Sequence, residues 1–253
     1  MLFGALAGAA SILSFSRRHF SLRLNHGDLN LPSLPDQRTV LLAGATGLVG
    51  GLVLQALLAD PAVSQVHALG RRPSHLAHPK LQWHIVDFGR LPALPQADEL
   101  YLALGTTIKV AGSQAAFRAV DLDANLALAR AAFAAGVRRV GLVSAAMANA
   151  RSAAFYNRVK GELEDALKAI DWKTLVIAQP SLLLDSREGL QQPPRVGERI
   201  AIPFARLLGP LLPGPYRPVR ARAVALALVK TVPVAEGVVV LPSDVLASIG
   251  GGR

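Results

Sequence analysis

The chain has 253 residues, 51% of them apolar, a length at which one large domain can bury about 70% of its unfolded surface. It contains no cysteine, which excludes disulfides, thiolate nucleophiles and Cys-based metal sites, and its six histidines form no HExxH pair, so no metal is expected. A net charge of +10 favours anionic partners, but scattered arginines, 5% aromatic residues and the lack of an RNP-like motif or zinc finger argue against nucleic acid.

Residues 1–38 read as an N-terminal extension that precedes the fold. Leu2 to Phe15 is apolar yet shorter than the ~20 residues needed to cross a bilayer. Arg17 and Arg18 follow this run, whereas a secretory signal carries its positive charge in front. A disordered tail is the first expectation; a membrane-surface anchor and a cleaved targeting segment compete with it. Residues 39–253 are expected to form one domain.

From residue 39 the chain alternates short apolar runs with helical patterns. Strands are predicted at Thr39–Ala43, Val66–Leu69, Trp83–Val86, Leu100–Leu104, Val140–Val143, Leu175–Ala178 and Val238–Leu241. Helices are predicted over Leu48–Ala59, over Gln114–Ala135 with Ser113 as N-cap and Gly136 at the C-terminus, and over Phe155–Ile170. Runs this short and continuously apolar are buried on both faces, as in a parallel sheet. The alternation predicts a doubly wound α/β fold of the Rossmann type.

The first strand leads directly into Gly44-Ala-Thr-Gly47-Leu-Val-Gly50. Gly44 permits a tight turn off the strand, Gly47 removes a side chain where phosphates would lie, and Gly50 lets the following helix pack closely. Backbone N–H groups and the positive end of the helix would then face a pyrophosphate. The second strand ends at Arg71 and Arg72, 21 and 22 residues after Gly50, where an NAD site carries an acidic residue for the ribose 2′-hydroxyl. Two arginines offer a grip on a 2′-phosphate instead, so NADP(H) is expected over NAD(H). Asp87, after the third strand, is a candidate acceptor for the adenine amino group.

Ser144 closes the fifth strand. Tyr156 follows twelve residues later, with Lys160 one helical turn beyond it. A free tyrosine titrates near 10, too high for acid–base work at neutral pH, and a neighbouring ammonium stabilises the phenolate. Lys160 can also hold ribose hydroxyls, and Ser144 can polarise a substrate carbonyl. Ser144, Tyr156 and Lys160 are therefore the candidate catalytic residues.

These stretches together resemble the atypical short-chain dehydrogenases/reductases, most closely the branch that holds the human Tat-interacting oxidoreductase-like protein and its bacterial relatives. The resemblance rests on LLAGATGLVG (41–50), LGRRP (69–73), YLALGTTIKVAG (101–112), VDLDANLALARAA (120–132), VSAAMA (143–148), YNRVKGELE (156–164) and IAQPSLLL (177–184). It implies NADP(H) binding by Gly44, Thr46, Gly47, Leu48, Val49 and Arg71. It also implies that Leu104 and Gly105 lie beside the cofactor ribose and that Pro180, Ser181 and Leu182 approach the nicotinamide amide. Two features depart from the family pattern. Ser144-Ala145 stands where Ser-Ser is usual, and no helix asparagine is assigned to the catalytic tetrad, Asn125 being the candidate.

Residues 186–222 carry seven arginines against two glutamates, and seven prolines. The stretch 185–222 is expected to cover the site as a lid, which would suit an acidic small molecule. Ile200–Leu212 within it is apolar and reads as the packing of a small cap, with a membrane or dimer patch as the sharper alternative. The resulting expectation is a cytoplasmic NADP(H)-dependent oxidoreductase acting on a carbonyl or alcohol, with no nucleic-acid partner, its oligomeric state open and membrane-surface contact a lesser reading. The alternative is a non-catalytic NADP(H) sensor on the same fold.

Overall fold

The computed structural model describes residues 37–184 and 213–251. The chain forms β1 (Arg38–Ala43), α1 (Leu48–Ala59), β2 (Val63–Gly70), β3 (Leu81–Ile85) and β4 (Glu99–Leu102). Next come α2 (Ile108–Ala111), α3 (Gln114–Arg118), a π-helical segment (Ala119–Ala124), α4 (Asn125–Ala134), β5 (Arg139–Val143), α5 (Phe155–Lys168) and β6 (Thr174–Gln179). A 3-10 turn (Gly214–Tyr216), α6 (Ala221–Thr231), β7 (Gly237–Pro242) and α7 (Ser243–Gly250) complete the described residues. The lid expected at 185–222 falls outside them up to residue 212. The apolar stretch Ile200–Leu212 and the extension, except its final two residues, fall outside them as well.

The seven described strands make one parallel sheet in the order β3-β2-β1-β4-β5-β6-β7. The chain enters at the middle, winds outward through β2 to β3, returns to β4 beside β1, and winds outward the other way. The doubly wound α/β fold predicted from the alternation of elements is the fold observed. Side chains alternate across each strand, so β1 feeds two apolar layers. Val40 and Leu42 pack with Leu57 of α1 and Leu228 of α6. Leu41 and Ala43 face the opposite side, with Phe117, Leu128 and Leu163 from α3, α4 and α5.

Two differences from the sequence reading have clear causes. The helix predicted over residues 114–135 is three pieces, because i→i+5 bonding replaces i→i+4 bonding between Ala119 and Ala124. Its start is as expected, with Ser113 Oγ accepting from Ala116 N at 3.1 Å. Helices α6 and α7 had not been predicted. The apolar pattern of α6 emerges directly from a run of arginines and prolines, and that run masks its start.

Arg38 was assigned to the extension, yet it is the first residue of β1 and is almost wholly buried. Its Nη1 donates to Glu99 Oε1 at 2.7 Å and its Nη2 to Asp60 Oδ2 at 2.5 Å. Tyr101 donates its hydroxyl to the other oxygen of Glu99 at 2.9 Å. Burial raises the Glu99 carboxyl above its usual range while Arg38 opposes the rise. Burial, then the charge of Glu99, push the Tyr101 phenol well above its ordinary value, so it stays a donor. This cluster ties the N-terminal ends of β1 and β4 together, at the edge of the sheet opposite the glycine loop. Glu99→Ala leaves Arg38 buried without its inner partner and should cost about 3–5 kcal/mol. Asp60→Asn, at the more exposed end, should cost about 1 kcal/mol or less. Urea unfolding of the two variants checks this order.

Candidate cofactor groove and catalytic site

A groove of about 1400 Å³ opens at the C-terminal ends of β1, β2 and β4, where the strand order reverses. The glycine loop forms one wall. Gly44 adopts φ +91°, and a Cβ on it would stand 2.2 Å from the carbonyl oxygen of Ala103. A Cβ on Gly50 would meet the carbonyl oxygen of Gly44 at 2.1 Å. Both glycines therefore let backbone lie directly on backbone, and α1 starts hard against the loop. No side chain caps α1 at Gly47, and its first turn holds no acidic residue. The positive end of the helix is thus not countered by a carboxylate of its own.

Of the residues expected at the cofactor, Gly44, Thr46, Gly47, Arg71, Arg72, Asp87, Leu104 and Gly105 line this groove. Leu48, Val49 and Gly50 form the first turn of α1 behind it, with Val49 in the core. Pro180, Ser181 and Leu182 follow β6, beyond the lining. Ser181 N–H donates to Ser243 Oγ at 2.8 Å, and the Ser181 hydroxyl donates to the carbonyl of Arg217 at 2.6 Å. Asp87 accepts from Gly89 N–H at 2.9 Å through Oδ1.

Arg71 and Arg72 are exposed, and neither has a carboxylate partner among the described residues. Trp83, on the edge strand β3, also lines the groove. Its indole Nε1–H donates to the carbonyl of Arg72 at 2.9 Å.

Tyr156, Lys160 and Glu164 follow one another at four-residue spacing along α5, so they share one face of the helix. Tyr156, in the first turn, is 38% exposed, and its ring lies 5.7 Å from that of Phe117. Lys160 is buried, with Nζ 2.7 Å from Asp121 Oδ1 in an ion pair that lacks hydrogen-bond angles. The second oxygen of Asp121 accepts from Thr106 N–H at 2.8 Å. Glu164 is buried as well. It accepts the Ser144 hydroxyl at 2.5 Å and the Gln179 amide at 2.9 and 3.0 Å. Ser144 was expected to offer its proton to a substrate carbonyl, but here that proton goes to Glu164, leaving the oxygen lone pairs.

Asn125 stands just after the π-helical segment and is fully buried. Its amide nitrogen lies within bonding distance of the carbonyls of Val120, Asp121 and Leu104, at 3.1, 3.3 and 3.3 Å. Its own carbonyl has no hydrogen-bond partner. Met147, in the loop between Ser144 and Tyr156, takes φ +63°, a left-handed conformation that costs a non-glycine residue about 1–2 kcal/mol.

Sequence reasoning missed Asp121, Glu164 and Trp83 as members of the site. Glu164 was within reach, because one further helical step from Lys160 arrives at it. Nothing local to Asp121 or Trp83 marked them, since their roles depend on pairings across the fold.

Residues 44–189 match the model of a protein family described as NAD(P)H-binding. The mitochondrial protein fmp52 of Emericella nidulans is 34% identical over 180 residues, covering 67% of this chain and 76% of that protein. The mitochondrial protein FMP52 of Chaetomium globosum is 33% identical over 177 residues, covering 67% and 74%. Among solved structures, MoeE5 in complex with UDP-glucuronic acid and NAD superposes with a TM-score of 0.63 at 19% identity, over 81% of this chain and 76% of that one. The UDP-N-acetylglucosamine 4-epimerase of Methanobrevibacter ruminantium, in complex with UDP-N-acetylmuramic acid, gives 0.62 at 16%, over 82% and 77%. At such identities the structures speak for the fold alone.

The sequence relatives correct one expectation. They are named as mitochondrial proteins, which overturns the expected cytoplasmic location.

The groove makes its own prediction. Gly50→Ala drives a methyl group into the Gly44 carbonyl, so the glycine loop must move away from the start of α1. NAD(P)H affinity measured by calorimetry should fall about tenfold or more, the worth of one charge-assisted hydrogen bond, and wild-type affinity in this variant would show that the loop is not the anion seat.

Proposed function

Since this chain belongs to the family of NAD(P)H-binding proteins, we propose that it is an NADP(H)-dependent oxidoreductase of short-chain dehydrogenase/reductase type, acting on a small carbonyl or alcohol. One observation carries this reading: a bare-backbone groove at the sheet's switch point, with an uncapped helix start and two arginines that have no carboxylate partner among the described residues, in a chain that sets Tyr156 and Lys160 one turn apart on α5. The order of motifs favours the branch of the Tat-interacting oxidoreductase-like protein.

The groove residues fit the group that the family implies. Gly44 to Gly47 and the first turn of α1 would take the diphosphate, Arg71 and Arg72 the 2′-phosphate, and Asp87 the adenine amino group. Leu104 and Gly105 would lie along the nicotinamide ribose, with Pro180, Ser181 and Leu182 toward the amide. The bound cofactor supplies or accepts a hydride. Tyr156 gives its hydroxyl proton to the carbonyl oxygen in reduction and takes one from the alcohol in oxidation. Lys160, held by Asp121, places a positive charge behind that tyrosine. Ser144, whose hydroxyl donates to Glu164, can accept a hydrogen bond from a substrate hydroxyl through its lone pairs.

A mitochondrial location goes with this reading. Residues 1–27 hold Arg17, Arg18 and Arg23, four serines and no acidic residue, a composition that suits a transit segment.

A second reading, a non-catalytic NADP(H) sensor, has its own support in the occupied state of the site. Lys160 is paired with Asp121 and Ser144 with Glu164. Tyr156→Phe separates the two readings. For an enzyme, turnover of carbonyls should fall by about 10²–10⁴-fold while NADPH affinity stays within twofold. A wild-type protein that binds NADPH tightly but oxidises it with no carbonyl in a broad screen would favour the sensor.

The cofactor preference is tested apart from turnover. Arg71→Ala combined with Arg72→Ala should weaken NADPH by about 10–100-fold, the worth of charge-assisted hydrogen bonds, and NADH by less than twofold. Equal losses in calorimetry would overturn the assignment of the 2′-phosphate to these arginines.

A further inference from the structure

We propose that Trp83 sets the preference for a 2′-phosphorylated nucleotide by pinning the turn that carries Arg71 and Arg72, an inference that rests on the cofactor reading above. The turn leaves β2 at Gly70 and is fixed at two points. The carbonyl of Gly70 accepts from Val86 N–H at 2.9 Å, a backbone bond to the segment after β3. The carbonyl of Arg72 accepts from the Trp83 indole at 2.9 Å. Arg71 lies between these anchors, and both arginine side chains extend into solvent at the groove.

Trp83 suits this task in two ways. Its Nε1–H can only donate, so it selects a carbonyl and holds it in one sense. Its six-membered ring lies flush on Gly70, where a Cβ would approach Cζ2 to 2.6 Å. Any larger residue at position 70 would push the indole off and break the bond to Arg72. Gly70 and Trp83 therefore act as a matched pair across β2 and β3. The main chain of Arg72 is held before any ligand arrives, so clamping a phosphate restricts the side chains alone. Ribose with a plain 2′-hydroxyl makes no such demand on the arginines. Trp83 is accordingly a positioning residue that acts through Arg71 and Arg72, and its effect should fall on the 2′-phosphate alone.

The test uses 2′,5′-ADP and 5′-AMP, which differ by that phosphate only. Trp83→Phe keeps a ring on Gly70 and removes the donor. Calorimetry on the full chain should show 2′,5′-ADP weakened about fivefold, the equivalent of one ordinary hydrogen bond, with 5′-AMP within twofold of wild type. Gly70→Ala should reproduce this loss, and the double variant should add little to either single change. A second measurement avoids disturbing the contact. The chain has two tryptophans, so Trp172→Phe leaves Trp83 as the sole tryptophan, and its selectively excited fluorescence should respond to 2′,5′-ADP and not to 5′-AMP. Equal weakening of both ligands by Trp83→Phe, no weakening of either, or an identical fluorescence response to both would overturn the proposal. Equal wild-type affinity for the two ligands is a different failure. It would remove the 2′-phosphate reading of Arg71 and Arg72, and the role of Trp83 with it.

Discussion

Backbone packed on backbone at the switch point is the constraint from which the rest of the site follows. Gly44 rests on Ala103 and Gly50 rests on Gly44, at separations that no side chain could enter. Two segments distant in sequence, the loop from β1 into α1 and the end of β4, meet there and line the groove. Peptide dipoles serve well as an anion seat because they carry no net charge that needs burying and are already oriented before a ligand arrives. The same packing decides where Leu104 and Gly105 lie, and through Thr106 N–H it decides where Asp121 lies.

From that point a column of polar groups runs down one face of α5. Tyr156 is open to solvent, Lys160 is buried against Asp121, and Glu164 is buried against Ser144 and Gln179. Each buried ion of the column has a partner or several hydrogen bonds from another element, as low-dielectric burial demands. Whether this column works as an acid–base centre or serves only to hold the helix is the chemical question that divides the enzyme from the sensor.

The regular parts of this molecule were legible in the sequence because their signals are local. Helix α1 was predicted at its observed limits, since Gly47 precedes its apolar pattern and Asp60 follows it. β2 begins at Val63, three residues earlier than expected, because Ser64 and Gln65 interrupt the apolar run without ending the strand. The cluster around Arg38 left no trace: its partner Glu99 is 61 residues away and becomes a neighbour only when β1 and β4 pair. The glycines and arginines of the groove followed from their spacing after a strand, whereas Thr46, Leu104 and Gly105 came only from the family resemblance. The partners of Ser144 and Lys160 did not, because a buried carboxylate on a helix looks the same in sequence as a solvated one. The π-helical segment was equally silent, for six residues are too few to shift a periodic pattern visibly.

That segment has a consequence for how the protein tolerates change. Phe117 before it and Leu128 after it face the same apolar layer, while Asp121 within it reaches Lys160 and Asn125 closes it against freed carbonyls. An α-helix turns by about 100° per residue. Removing one residue between Ala119 and Ala124 would restore regular bonding and swing one flank around the axis by that amount. Either the apolar stripe or the reach to Lys160 would then be lost. Length is therefore a specification here in the same sense as residue identity, and a one-residue deletion in this stretch would do more damage than most substitutions within it.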